Sequence, residues 1–199
     1  MLNDFEKLMF DTVSTTIGGE QKPFSYFKTE NSSTDILFCK DSPAPNYLTC
    51  CTLGLVNQEG KFQSNGKNIR VELLGLSTNK LGDTLGKIMA VLYKNIVEKN
   101  LTCAYGVIYN HVLDELLPNS EMKHILLTTP PLFWEKSLGT IDLDDNNILT
   151  WLYAMPISEA EKNTIVSSGD NFKDTMIHLQ EQFTLKNVDV FDLNRKSII

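Results

Sequence analysis

The 199-residue chain has no run of about 20 apolar residues, the length that a membrane-crossing helix needs. Its opening, Met1-Leu2-Asn3-Asp4-Phe5-Glu6, places acids where a secretory leader carries bases. Neither a membrane contact nor export is expected, and the chain reads as cytoplasmic. Cysteine is scarce and unpatterned: Cys39, Cys50, Cys51 and Cys103 form no CxxC, so they read as small apolar residues kept reduced. Histidine is limited to His111, His124 and His178, without HExxH or a nearby cysteine, so local spacing assembles no zinc site. A basic excess is also missing. Lys and Arg number 18 against 25 Asp and Glu, a formal charge of −7, which argues against direct nucleic-acid binding because phosphate contacts need a basic surface. Neither internal repeats nor a low-complexity linker interrupts the chain, and one domain over 1–199 is the economical reading.

What is present is alternation of helical and strand-like pattern. Phe5, Leu8, Met9, Val13 and Ile17 form one stripe at helical spacing, stopped by Gly18-Gly19. Strand-like stretches follow at 24–28, 35–40 and 47–56, separated by turn formers at Asn31-Ser32-Ser33 and Asp41-Ser42-Pro43. Asn65-Gly66 has the residues that a two-residue type I′ hairpin requires. Leu81, Leu85, Ile88, Met89, Leu92 and Ile96 mark the longest helix, over 81–99. Strands are expected at 106–112, 123–129 and 148–155, with Pro156 ending the last. Ser158 and Glu161 spell a capping box opening a helix over 159–167. A second helix carries Phe172, Met176, Leu179 and Phe183 with Asp170 as its cap, and 188–193 reads as a final strand. The fold class is α+β, a mixed and largely antiparallel sheet with packed helices.

Three chemical motifs nearly match and fail. Gly82 to Ile88 resembles a phosphate loop, but it is one residue short between the glycines and has Ile88 where a magnesium-binding hydroxyl belongs. Asp142, Asp144 and Asn146 match the first ligand positions of a calcium loop, yet Asn147 replaces the turn glycine and Tyr153 the closing glutamate. A distant Cys103–His124 nucleophile pair has no local signature around it. No catalytic residue, metal or cofactor is expected.

Charge is uneven: residues 1–134 hold 14 acids and 12 bases, net −2, and 135–199 hold 11 acids and 6 bases, net −5. Asp142, Asp144 and Asp145 crowd between two apolar segments, where they are expected to project from a loop without a structural duty. Glu159 opens a helix, where the macrodipole favours a carboxylate in any case. These four residues are the candidate contacts for a basic protein partner.

Several phrases, in order, carry a resemblance. They are Ser33-Thr34-Asp35-Ile36-Leu37, Thr52-Leu53-Gly54-Leu55, Ile69-Arg70-Val71-Glu72-Leu73, Met122-Lys123-His124 and Pro130-Pro131-Leu132-Phe133-Trp134. Trp151 to Glu161 and Val190 to Ser197 complete the series. Together the phrases resemble bacterial suppressor-of-fused (SUFU) domains, in particular antitoxin or immunity proteins paired with LXG-type nuclease toxins of Gram-positive bacteria. The resemblance implies a non-enzymatic protein that neutralises a cognate nuclease toxin by direct binding. Its alternative is a peptide-binding adaptor that adds a partner's strand to its sheet. The same phrases also read as scaffold: Gly54 would let a strand pass closely under a neighbour, and Arg195 would tie the chain end to a carboxylate or to helix-terminal carbonyls. The oligomeric state is left open.

Overall fold

A computed structural model describes residues 4–28, 33–58, 60–131 and 138–199. The turn at Asn31-Ser32 and the phrase residues Leu132 to Trp134 lie outside the described residues. The chain forms two compact units, each made of two stretches: Met1–Val107 with Leu127–Ala154, and Ile108–Leu126 with Met155–Ile199.

In the first unit, helix α1 (Asp4–Ile17) leads into strands β1 (Glu20–Tyr26), β2 (Thr34–Lys40), β3 (Tyr47–Leu53), β4 (Gln63–Ser64) and β5 (Lys67–Thr78). Helix α2 (Gly82–Glu98) follows, and β8 (Ile141–Asp142) and β9 (Asn147–Ser158) come after the excursion into the second unit. The strand order is β1-β2-β3-β5-β9, with β4 on β5 and β8 on β9. All of these pairs are antiparallel except β5 with β9, which is parallel. The mixed, largely antiparallel sheet of an α+β fold is thus observed.

Helices cover both faces of the central strands. Val13 and Ile17 of α1 join Leu37, Cys39, Cys51, Leu53, Leu74 and Trp151 in one buried cluster. On the other face α2 buries Leu85, Ile88, Met89, Leu92 and Ile96. Cys50 and Cys51 therefore point to opposite faces, as strand alternation requires. Cys50 pairs with Gly75, and a Cβ on Gly75 would stand 2.7 Å from Met89 Sδ. Asn65 and Gly66 both take positive φ, 51° and 78°, in the β4–β5 hairpin.

The second unit holds β6 (Ile108–Tyr109), paired antiparallel with β7 (Met122–Thr128), then α3 (Glu159–Ser167) and α4 (Phe172–Leu185). Strands β7 and β9 each have residues in both units. The capping box is present: Ser158 Oγ accepts from Glu161 N–H at 3.1 Å, and Ser158 N–H donates to Glu161 Oε2 at 3.0 Å.

Four local expectations are corrected. Strand β9 runs through Pro156 to Ser158; its register with β5 ends at Tyr153, so the proline removes no donor from that ladder. The expected strand at 106–112 shrinks to the two residues of β6. Residues 188–193 form turns, because Asp189 Oδ1 accepts from Phe191 N–H and Asp192 Oδ1 from Asn194 N–H, and such Asx turns outcompete a strand. Asp170 lies inside a 3-10 turn (Gly169–Asn171), so Asn171 is the residue preceding α4.

Candidate functional site

The three loop aspartates sit at the β8–β9 turn of the first unit, and two of them have structural work. Asp144 Oδ1 accepts from Asn146 N–H at 2.7 Å, and its carboxylate receives the Asn147 amide at 2.9 Å on both oxygens. These bonds, led by the one from Asn147, hold its carboxyl below the usual carboxylate range. Asp142 Oδ1 meets Lys67 Nζ at 2.6 Å. The expectation that these residues lack a structural reason is therefore corrected for Asp142 and Asp144. The signal was available: Asp-Asp-Asn-Asn is turn-forming composition, in which each side chain can bond its own backbone two residues on. Asp145 is exposed.

Glu159 belongs to the second unit, at the start of α3, and the structure brings it to two histidines. Buried His124 accepts the backbone N–H of His111 on Nδ1 at 3.0 Å. A neutral imidazole carries one hydrogen, so that hydrogen is on Nε2, which lies 2.7 Å from Glu159 Oε2. Glu159 Oε1 also pairs with Lys162 Nζ at 2.6 Å, and His111 Nδ1 lies 3.0 Å from Asp114 Oδ2. His111, His124 and Glu159 offer ligand atoms within 4.8 Å of one another, a cluster that local spacing hides because 13 and 35 residues separate the members. As arranged it is a hydrogen-bond relay. Both His124 nitrogens are engaged, and Nε2, being protonated, has no lone pair for a cation.

Burial pushes the His124 pKa below its ordinary value, more than Glu159 draws it up. Because the folded form resists protonation, the unfolded chain binds more protons below pH ~6.5, so stability is full above that pH and falls as pH drops through the folded value. Thermal melts are expected to plateau above pH ~6.5 and to decline below it. His124→Asn, which keeps an acceptor but cannot titrate, should flatten that segment. A decline of equal slope in the variant would assign it to another group.

Two buried carboxylates organise the phrases that carried the resemblance. In the first unit Glu72 accepts the Thr52 hydroxyl, Gly54 N–H at 2.9 Å and Val56 N–H at 2.8 Å, so the Thr-Leu-Gly-Leu phrase closes on the Ile-Arg-Val-Glu-Leu phrase. Gly54 is needed for its φ of 116° at this turn, a different duty from the close strand passage expected of it. In the second unit Arg195 forks onto Glu161 at 2.6 and 2.8 Å and donates to the Pro156 carbonyl at 2.9 Å. Arg195 thus holds the chain end to a carboxylate, one of the two partners expected of it, while the carbonyl it bonds belongs to strand β9 and not to a helix end.

Cys103 lines a cavity of about 400 Å³ with Leu55, Ile69, Arg70, Ile96 and Leu101, and no histidine is among the described lining residues. Burial first, and then the Glu72 charge, push its thiol up to about 12, so it stays protonated at neutral pH and is a poor nucleophile. All four cysteines are free thiols. A second depression of about 440 Å³ lies beside outer strand β1, lined by Lys22, Phe24, Tyr26, Phe38 and Leu48. Gly86 of the phosphate-loop-like segment lies inside α2, where a Cβ would stand 2.2 Å from Phe38 Cζ; its glycine serves helix–sheet packing. Among the described residues no helix is long and apolar enough to cross a membrane.

The profile of the family described as Suppressor of fused protein (SUFU) matches residues 30–196. The chain belongs to the suppressor of fused family. A curated relative, Immunity protein YqcF of Bacillus subtilis (strain 168), is 32% identical over 194 residues, covering 97% of this chain and 96% of the relative. Among solved structures, the chain from the Sufu-Fu complex crystal structure superposes with a TM-score of 0.56 at 10% identity, covering 96% of this chain and 91% of that one. Drosophila Suppressor of Fused gives 0.52 at 9% identity, covering 89% of this chain and 42% of its own. These structural likenesses establish the shared SUFU fold.

Proposed function

We propose that the chain is an immunity protein that neutralises a cognate LXG-type nuclease toxin in the cytoplasm by binding it directly, without chemistry of its own. The observation that carries this reading is the end-to-end relationship to Immunity protein YqcF. The geometry supports it in kind: Cys103 is a protonated thiol, and His124 spends both ring nitrogens inside the fold. A net charge of −7 suits a partner whose groove attracts phosphate, since complementary charge speeds association and selects the partner. Asp145 and the exposed side of Glu159 stay among the proposed contacts. Asp142 and Asp144 contribute charge from positions set by the β8–β9 turn.

The adaptor reading, in which a partner strand adds to the sheet, draws on outer strand β1 and its aromatic depression. Lys22 and Pro23 on β1 are residues that blunt an edge against pairing, which places this reading second.

Co-expression tests the proposal. Cells producing the toxin encoded beside this chain are expected to survive only with the chain present, and the two proteins to co-purify. Cys103→Ala is expected to protect as well as the wild type. Death despite abundant folded chain contradicts the reading.

A further inference from the structure

The second unit holds 10 acids and 6 bases, and one of its helices exposes an apolar and acidic face that none of the described residues covers. Helix α4 buries Met176, Leu179 and Phe183. At 100° per residue, the opposite side presents Asp174, Ile177, His178, Glu181 and Leu185, all exposed. Ile177 is 46% and Leu185 77% accessible, high values for large aliphatic side chains at i and i+8 on one stripe. Several other exposed acids of the protein have a lysine: Asp83 has Lys87, Asp142 has Lys67, and Glu121 has Lys196. Among the described residues Asp174 and Glu181 have no ion pair, and the only lysine or arginine on the helix, Lys173, lies at the flank of the stripe.

We infer that this outward face of α4 is where a basic protein partner docks, its aliphatic-accepting surface on Ile177 and Leu185 and its lysines or arginines on Asp174 and Glu181; the inference rests on the immunity reading. Charge selects the occupant. A second copy would set carboxylate against carboxylate across the stripe, and a nucleic acid would set phosphates there, both repulsive. A basic protein alone satisfies the acids while drying the two aliphatic side chains. Well-packed apolar anchors inside a charged rim are how small interfaces concentrate their affinity.

The test is binding between the purified chain and the purified toxin encoded beside it, with wild type and variants measured side by side. Ile177→Ser with Leu185→Ser is expected to weaken affinity about 100-fold, roughly tenfold for each lost anchor. Asp174→Asn with Glu181→Gln is expected to slow association about tenfold at low ionic strength, with the deficit shrinking as salt rises. Both pairs face solvent, so melting temperatures should move by only about 3 °C or less. Leu185→Arg, at the end of the helix, serves as a third variant and sets like charge against a basic partner. Variants that fold and bind as the wild type does overturn the docking face and leave the immunity reading standing. A wild-type chain that does not bind overturns both.

Discussion

Replacing Arg195 with methionine is expected to destabilise the protein by about 3–5 kcal/mol, the range for stripping one partner from a buried ion pair. The Arg195 and Glu161 side chains are each 1% exposed, and the guanidinium forks onto both carboxylate oxygens. Glu161 simultaneously accepts Ser158 N–H and Ile198 N–H, so the same carboxylate caps α3 and anchors the chain end. Without the arginine a charge stays buried with only neutral donors. Glu161→Gln alone should also destabilise, leaving the arginine uncompensated, and the double variant should lose less than the sum of the two. Urea unfolding midpoints measure all three. Independent, additive losses would contradict the coupling that the geometry demands.

Gly86→Ala separates two explanations of one motif. Helix propensity alone predicts a gain of about 1 kcal/mol, because glycine is a poor helix former. Packing predicts the opposite sign: the new Cβ would stand 2.2 Å from Phe38 Cζ and 2.4 Å from Tyr26 Oη, at the ends of two rings wedged between β1, β2 and α2. Overpacking of this kind costs about 1–3 kcal/mol, and a net loss of up to about 2 kcal/mol is expected after propensity is deducted. Lys87→Met should leave stability and protection unchanged, since Lys87 is exposed and pairs only with Asp83 among the described residues. A stabilised Gly86→Ala protein, or a Lys87→Met protein that no longer protects, would return the segment to a ligand role.

Both cases show what the chain reveals before it folds. The α2 stripe, the Asn65-Gly66 hairpin and the Ser158–Glu161 box are written within a few residues of one another, so periodicity and turn chemistry expose them. Strand β8 has two residues and is held by its pairing to β9, which no local pattern announces. The last segment alternates like a strand, yet Asp189 and Asp192 bend their own backbone. Gly86 shows a near-miss motif produced by tertiary packing: the ring that requires the glycine lies 48 residues away in sequence, at Phe38. The His111–His124–Glu159 relay is a meeting of three distant segments, invisible to spacing rules. The turn duty of Asp144 was legible all the same, because Asp-Asp-Asn-Asn is turn-forming composition beside the charge that suggested a partner.

Stoichiometry tests the central claim most directly. Purified chain is titrated into a fixed amount of the toxin, in excess of the dissociation constant, while residual nuclease activity is followed. Neutralisation by direct binding predicts a linear fall that ends at one chain per toxin, with activity returning when the complex is dissociated. Inactivation by a small fraction of an equivalent, persisting after the chain is removed, would contradict it and establish chemistry in place of binding.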